Sequence, residues 1–212
     1  MKTYDGCPKK IGARMETIIV PYRQHLAHAL PVGKQYWTMC ATHTDTEGNL
    51  LPGSELHQMI EVGIITPDQF HGVDIDADII AANTVGIPGA NWHLGDFHRT
   101  MIAAKNEGEF DPGVVNCDHL RMPGSGGAEY VSRCLAFLSD QSDLIFVSNL
   151  ILNPPRNNSL CTPEEYLEEL WEQPPFRYAM STGWQHDDVL YVYGGTGTES
   201  RTVLGTMVFW KK

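Results

Sequence analysis

The sequence predicts an α/β fold: a seven-stranded, mostly parallel sheet between helical layers, ending in an antiparallel hairpin. Three observations carry this. Short apolar runs alternate five times with longer amphipathic stretches, the pattern of β-α units. The tail then holds two strand-like runs with no helix between them. The composition is that of a folded chain, with 212 residues of which 42% are hydrophobic. Its 20 Gly and 13 Pro fall well short of the roughly 25–30% that marks low-complexity sequence.

The elements follow in order. Glu16 to Leu30 reads as one or two helices interrupted at Pro21, which cannot donate a helical hydrogen bond. The first strand is Gln35 to Cys40, and a helix over Ser54 to Val62 follows, with Ser54 placed to cap it. The second strand, Gln69 to Ile75, feeds a helix from Asp76 or Ala77 to Val85 that Gly86 is placed to end. Ala90 to Leu94 and His98 to Asn106 make the third pair, Gly113 to Cys117 and Ala128 to Leu138 the fourth. Asp143 to Leu152 is the fifth strand, and Thr162 with Pro163 opens a helix over Glu164 to Trp171. Arg177 to Thr182 suits either a helix exit or a short strand. Val189 to Tyr193 and Thr202 to Trp210 form the closing hairpin around a Gly-Gly-Thr-Gly turn region. No linker divides the chain, so residues 1–212 are expected to form a single domain, with 1–32 as a helical extension and 33–212 as the core.

Charge and cysteines narrow the function classes. With 15 Lys plus Arg against 26 Asp plus Glu, the net charge is −11, which disfavours unspecific binding to nucleic acid or to an anionic membrane. The five cysteines, Cys7, Cys40, Cys117, Cys134 and Cys161, are widely spaced without a C-x-x-C pair and read as reduced thiols. Met1 to Arg14 is polar and the first apolar stretch stops at Pro21, so no signal peptide is predicted. The longest apolar run, Leu144 to Leu152, is far below the roughly 20 residues that span a bilayer. A cytoplasmic location is the expectation.

Ligands of open α/β sheets lie outside the carboxyl ends of the strands, so the residues there are the candidates for chemistry. The second strand ends in Gly72-Val73-Asp74-Ile75, and an acid at this position is suited to accept hydrogen bonds from ribose hydroxyls. The third ends in Gly95-Asp96-Phe97, a carboxylate beside an aromatic, which suits the exocyclic amine and flat face of adenine. Asp76 reads as a helix cap.

These segments carry a resemblance. GVDIDADIIAAN resembles motif II, and NWHLGDF motif III, of the class I, Rossmann-like S-adenosylmethionine-dependent methyltransferases, and FDPGVVNCD resembles the region around their fourth strand. The resemblance covers roughly residues 33 to 212 and implies a Rossmann-like three-layer sandwich that uses S-adenosylmethionine. It assigns Asp74 to the cofactor ribose, Ile75 to packing on adenine, Asp96 to its amine and Phe97 to a flank of the ring. Asp118 and His119, read as following the fourth strand, become candidate bases toward a small-molecule or macromolecular methyl acceptor, which the sequence does not identify. Cys117 reads as packing.

One departure stands out. Where the family has an acid and a Gly-x-Gly loop after the first strand, this chain runs from Cys40-Ala41 into THTDTEGNLLPGSE. The methionine end of the cofactor would then be held by Thr42, Gly53, Ser54 or Glu55, or not at all, and the second alternative describes a non-catalytic cofactor-binding module. A nicotinamide-dependent oxidoreductase is disfavoured by the absence of G-x-G-x-x-G and by the hairpin. His43, Asp45 and Glu47 alternate as metal-type residues in the same loop, but no second cluster completes a site and no metal is expected. Asn153-Pro154-Pro155 resembles an element of amino-group methyltransferases, but it follows the fifth strand and is read as a turn. The oligomeric state is not legible.

Overall fold

Parallel strands covered on both faces need apolar side chains pointing both ways. In β1 (Gln35–Met39) the neighbours Tyr36 and Trp37 are fully buried in the cores of opposite faces. Val114 and Val115 in β4 (Pro112–Arg121), and Ile145 and Phe146 in β5 (Leu144–Ile151), repeat the arrangement. The structure, a computed structural model, describes residues 8–121, 126–151, 165, 168–169, 171–172, 174–193 and 202–212. With β2 (Phe70–Asp74), β3 (Asn91–Leu94), β6 (Gln185–Tyr193) and β7 (Thr202–Lys211), the sheet has seven strands in the order β3-β2-β1-β4-β5-β7-β6. The first five pair in parallel, and β7 is antiparallel to both β5 and β6.

Helices cover both faces. On one lie α1 (Pro8–Arg14), α2 (Val20–His25), α3 (Glu55–Glu61) and α4 (Ala77–Gly86), with Ile18, Ile19, Tyr22, Leu56 and Met59 packed against Tyr36, Val114 and Val147. On the other lie α5 (Phe97–Asn106), α6 (Gly127–Phe137) and α7 (Pro174–Ser181), with Met101, Val131, Leu135 and Phe176 packed against Trp37, Phe146 and Phe209. This is the three-layer α/β architecture expected. Among the described residues no helix is long and apolar enough to cross a membrane.

Several local expectations are corrected. Pro21 does not interrupt the first helix, because a π-turn over Met15–Ile19 precedes it and the chain stays helical through His25. There the Val20 N–H bonds to Met15 O, five residues back, and the widened turn accommodates a ring that would clash in a regular helix. Gly86 lies within α4, and its φ is not left-handed. It is glycine for space: a Cβ would come within 2.5 Å of Gly48 O in the loop after β1. Arg177 to Ser181 is helical, part of α7, with Phe176 buried beneath it. β6 starts at Gln185, earlier than its apolar run, because the ladder to β7 continues to Gln185↔Trp210 and Trp210 Nε1 donates to Gln185 Oε1 at 2.8 Å. Cys40, Cys117 and Cys134 are buried and form no disulfide among the described residues. The Gly-Gly-Thr-Gly turn, Asn153 to Pro155, Cys7 and Cys161 lie outside the described residues, as does most of Glu164 to Trp171.

Candidate functional site

The sheet order reverses direction between β1 and β4, and in open α/β sheets a crevice forms at that point, outside the carboxyl ends of the strands. Asp74 is the last residue of β2, half-buried, and its Oδ1 accepts the Asp76 N–H at 2.9 Å. That bond orients the carboxylate, whose other oxygen meets no donor among the described residues. Asp76 caps α4 by accepting from Asp78 N, as expected of it. Ile75 follows, 79% exposed, and Leu94 at the end of β3 is 59% exposed. Two large apolar side chains thus stand uncovered at adjacent strand ends.

Asp96 caps α5, its Oδ1 accepting from Arg99 N at 3.0 Å. Phe97 is 3% exposed and belongs to the core with Val73 and Met101, so only its edge is available to a ligand.

The loop after β1 is held by its own chemistry. Asn83 on α4 donates to Ala41 O at 3.0 Å and accepts from His43 N at 2.9 Å. Asp45 Oδ1 accepts from Glu47 N and Asn49 N, closing a tight turn, and these bonds, the one from Asn49 first, lower the Asp45 pKa. His43 is buried against the rings of Phe70 and Trp92, away from that exposed turn. The three metal-type residues therefore do not share a face, and among the described residues no group of three metal-type side chains gathers. Thr42 is buried. Gly53 adopts a φ of 78°, and its carbonyl accepts from Arg14 Nη1 at 3.2 Å. Ser54 caps α3, accepting from His57 N.

Glu55 has a different setting from the one expected. It is 6% exposed, and its Oε1 accepts from Tyr36 Oη at 2.6 Å and from Asn116 Nδ2 at 2.8 Å. Its Oε2 lies 4.0 Å from Arg14 Nε. Burial, and then the Glu55 carboxylate, push the Tyr36 phenol well above its usual range. Glu55 thus ties the N-terminal helix to β1 and β4, a role no local sequence pattern announces.

Asp118 and His119 lie inside β4, not after it, because the strand runs on to Arg121. Polar residues continue the strand since side-chain partners replace apolar burial: Asn116 finds Glu55, and Asp118 finds Asn149. The β4–β5 register passes from Cys117↔Ser148 to Arg121↔Leu150, so three residues of β4 stand against one of β5. Such a bulge re-aims side chains, and bulges are frequent beside active sites. Asp118 is half-buried and Asn149 Nδ2 donates to its Oδ1 at 3.0 Å. The His119 side chain lies outside the described residues.

On the other face, His71 and His93 form a pair that no ligand-type spacing in the sequence marks. His71 Nδ1 and His93 Nε2 are 3.1 Å apart, and both rings stack on Trp37. Asn91 Nδ2, which donates to Asp68 O at 2.8 Å and Phe70 O at 3.2 Å, lies 3.4 Å from His71 Nε2. Burial, then the charge of His93, lower the His71 pKa to about 4.

No protein-family model matches the sequence, and no curated protein matches it significantly. Solved structures do match. A candidate RNA methyltransferase from Pyrococcus horikoshii is similar over 94% of this chain and 83% of its own, at 13% identity and a TM-score of 0.51. A precorrin-6y C5,15-methyltransferase from Geobacter metallireducens is similar over 85% and 80%, at 12% identity and a TM-score of 0.43. A TehB-like SAM-dependent methyltransferase from Corynebacterium glutamicum is similar over 96% and 94%, at 15% identity and a TM-score of 0.37. The first of these likenesses, taken with the strand order and the closing hairpin, gives the chain the Rossmann-like fold of the class I S-adenosylmethionine-dependent methyltransferases.

Proposed function

We propose that this protein is a cytoplasmic, single-domain methyltransferase that uses S-adenosylmethionine to methylate a small-molecule or macromolecular acceptor. The observation that carries the reading is the pairing of an oriented carboxylate, Asp74, with uncovered apolar side chains, Ile75 and Leu94, beside the point where the sheet order reverses. A nucleoside needs that combination, an acceptor for ribose hydroxyls next to an apolar surface for the base. Asp74 would hold the ribose, Ile75 would cover the adenine face, Asp96 would accept from its amine and the edge of Phe97 would close the pocket. Thr42 and Gly53 would meet the methionine end, with Glu55 supporting that loop from below. Bound there, the cofactor supplies an electrophilic methyl group: the acceptor's lone pair bonds to the methyl carbon as the carbon–sulfur pair returns to sulfur. Asp118 and His119 would face the acceptor and take its proton.

A second reading, a cofactor-binding module without turnover, draws on the loop after β1, whose Thr42 is buried and whose Asp45 is spent on its own turn. Calorimetry and thermal denaturation with S-adenosylmethionine and its demethylated product test both readings. At a hundredfold excess over Kd, a ligand selective for the folded state adds about 2.7 kcal/mol of stability and raises the Tm. NADH is expected to be inert. Absence of heat and of a Tm shift at millimolar ligand would overturn both. Binding without turnover over a broad acceptor panel would favour the second.

A further inference from the structure

The face of the sheet covered by α1 to α3 changes character toward the carboxyl ends of its strands. Below lie Val147 and Val208, both buried and apolar; two residues along each strand stand Asn149 and Thr206, directly paired across β5 and β7. Thr206 is buried, and its Oγ1 donates to Asn149 Oδ1 at 2.5 Å. With its oxygen so occupied, Asn149 must present its NH2 group to Asp118, and it does, at 3.0 Å. The reverse amide orientation would set an oxygen against the Asp118 carboxylate. Three strands therefore contribute one residue each to a hydrogen-bonded line that ends at Asp118, in the β4 bulge. Among the described residues, the second oxygen of Asp118 accepts no hydrogen bond and no cation pairs with it.

We propose that Asn149 and Thr206 are positioning residues that fix the Asp118 carboxylate toward the acceptor, and that the acceptor is an amine nitrogen. This rests on the methyl-transfer reading above. An amine fits because positive charge moves to the acceptor nitrogen as its lone pair bonds to the methyl carbon and the carbon–sulfur pair returns to sulfur. A carboxylate so fixed would stabilise that charge and then receive the surplus proton from nitrogen. Thr206 matters because its hydroxyl holds the Asn149 amide oxygen and so anchors the amide that faces Asp118.

The test compares two ligands by calorimetry: S-adenosylhomocysteine, and the analogue that carries CH–NH3⁺ where the cofactor carries S⁺–CH3. The ammonium of the analogue stands where the transferring methyl would be. The quantity read is the affinity ratio of analogue to S-adenosylhomocysteine within each protein, which cancels any general loss of cofactor binding. The wild-type chain should prefer the analogue. Asp118→Asn should cut the ratio about tenfold or more, the loss expected of a charge-assisted hydrogen bond. Thr206→Val should cut it about threefold or more, and Thr206→Ser, which keeps the hydroxyl, should restore it. S-adenosylhomocysteine binding with a ratio unchanged by Asp118→Asn or by Thr206→Val would overturn this inference and leave the methyl-transfer reading standing. A Thr206→Ser protein as impaired as Thr206→Val would also overturn it, since loss of packing would then explain both. Failure of the wild-type chain to bind either ligand would overturn the methyl-transfer reading, and this inference with it.

Discussion

Replacing Glu55 separates two roles that its position allows, holding a ligand or holding the fold. Its carboxylate accepts from two buried donors, Tyr36 Oη at 2.6 Å and Asn116 Nδ2 at 2.8 Å, and faces Arg14 at 4.0 Å. Glu55→Gln keeps an oxygen for the two donors and loses the charge facing Arg14. Breaking a buried ion pair costs roughly 3–5 kcal/mol, and the long separation here puts the expectation lower, at about 2–3 kcal/mol. Glu55→Ala removes the acceptor as well. Tyr36 then loses the bond its hydroxyl donates, and the Asn116 amide keeps a 3.5 Å contact to Thr38. Each buried donor left unsatisfied costs about 1–3 kcal/mol, so simple addition puts the loss in the alanine variant at about 4–9 kcal/mol. The values do not add simply, because the groups share one network. Against a typical total of about 5–15 kcal/mol, the alanine variant sits near the limit of folding. Urea unfolding with unchanged m-values measures both costs. The reasoning fails if the two variants are equally stable, or if both lie within about 1 kcal/mol of wild type. If S-adenosylhomocysteine affinity falls while the urea midpoint stays, Glu55 is a ligand residue after all.

Further variants probe the strand ends and the half-buried histidine pair. Asp74→Ala should weaken S-adenosylhomocysteine binding by about 1.5–3 kcal/mol, while Asp76→Ala should cost about 1 kcal/mol of stability and spare the ligand; exchanged phenotypes in calorimetry and melting would move the ribose site by two residues. His71 titrates near 4 in the fold but near 6.5 in an unfolded chain. The unfolded state therefore binds the proton first, and this contribution to stability, full above about pH 6.5, is lost as pH falls toward 4. Between pH 7 and pH 5 the loss should be about 2 kcal/mol, and His71→Gln should remove most of that slope. An unaltered slope in the variant would contradict it.

The sequence by itself determined what depends on near neighbours. The alternation of apolar runs with amphipathic stretches is a local signal, and it located the five parallel strands, the helices after the first four of them and the hairpin. Caps are equally local, so Ser54 and Asp76 were legible from the residues just beyond them. Asp74 at the end of β2 was legible for the same reason. Only the tertiary structure decided which polar groups meet across strands. Asn149 lies 31 residues from Asp118 and 57 from Thr206, and Glu55 lies 61 from Asn116. A polar residue such as Asp118 ends a strand when judged by hydrophobicity. In the fold it extends β4, because Asn149, brought by the sheet register, satisfies it. The loop after β1 follows the same rule, since Asn83 on α4 clamps it from 42 residues away in sequence. Side-chain hydrogen bonds of this kind carry no periodicity, so their partners are fixed by the packing of the whole chain.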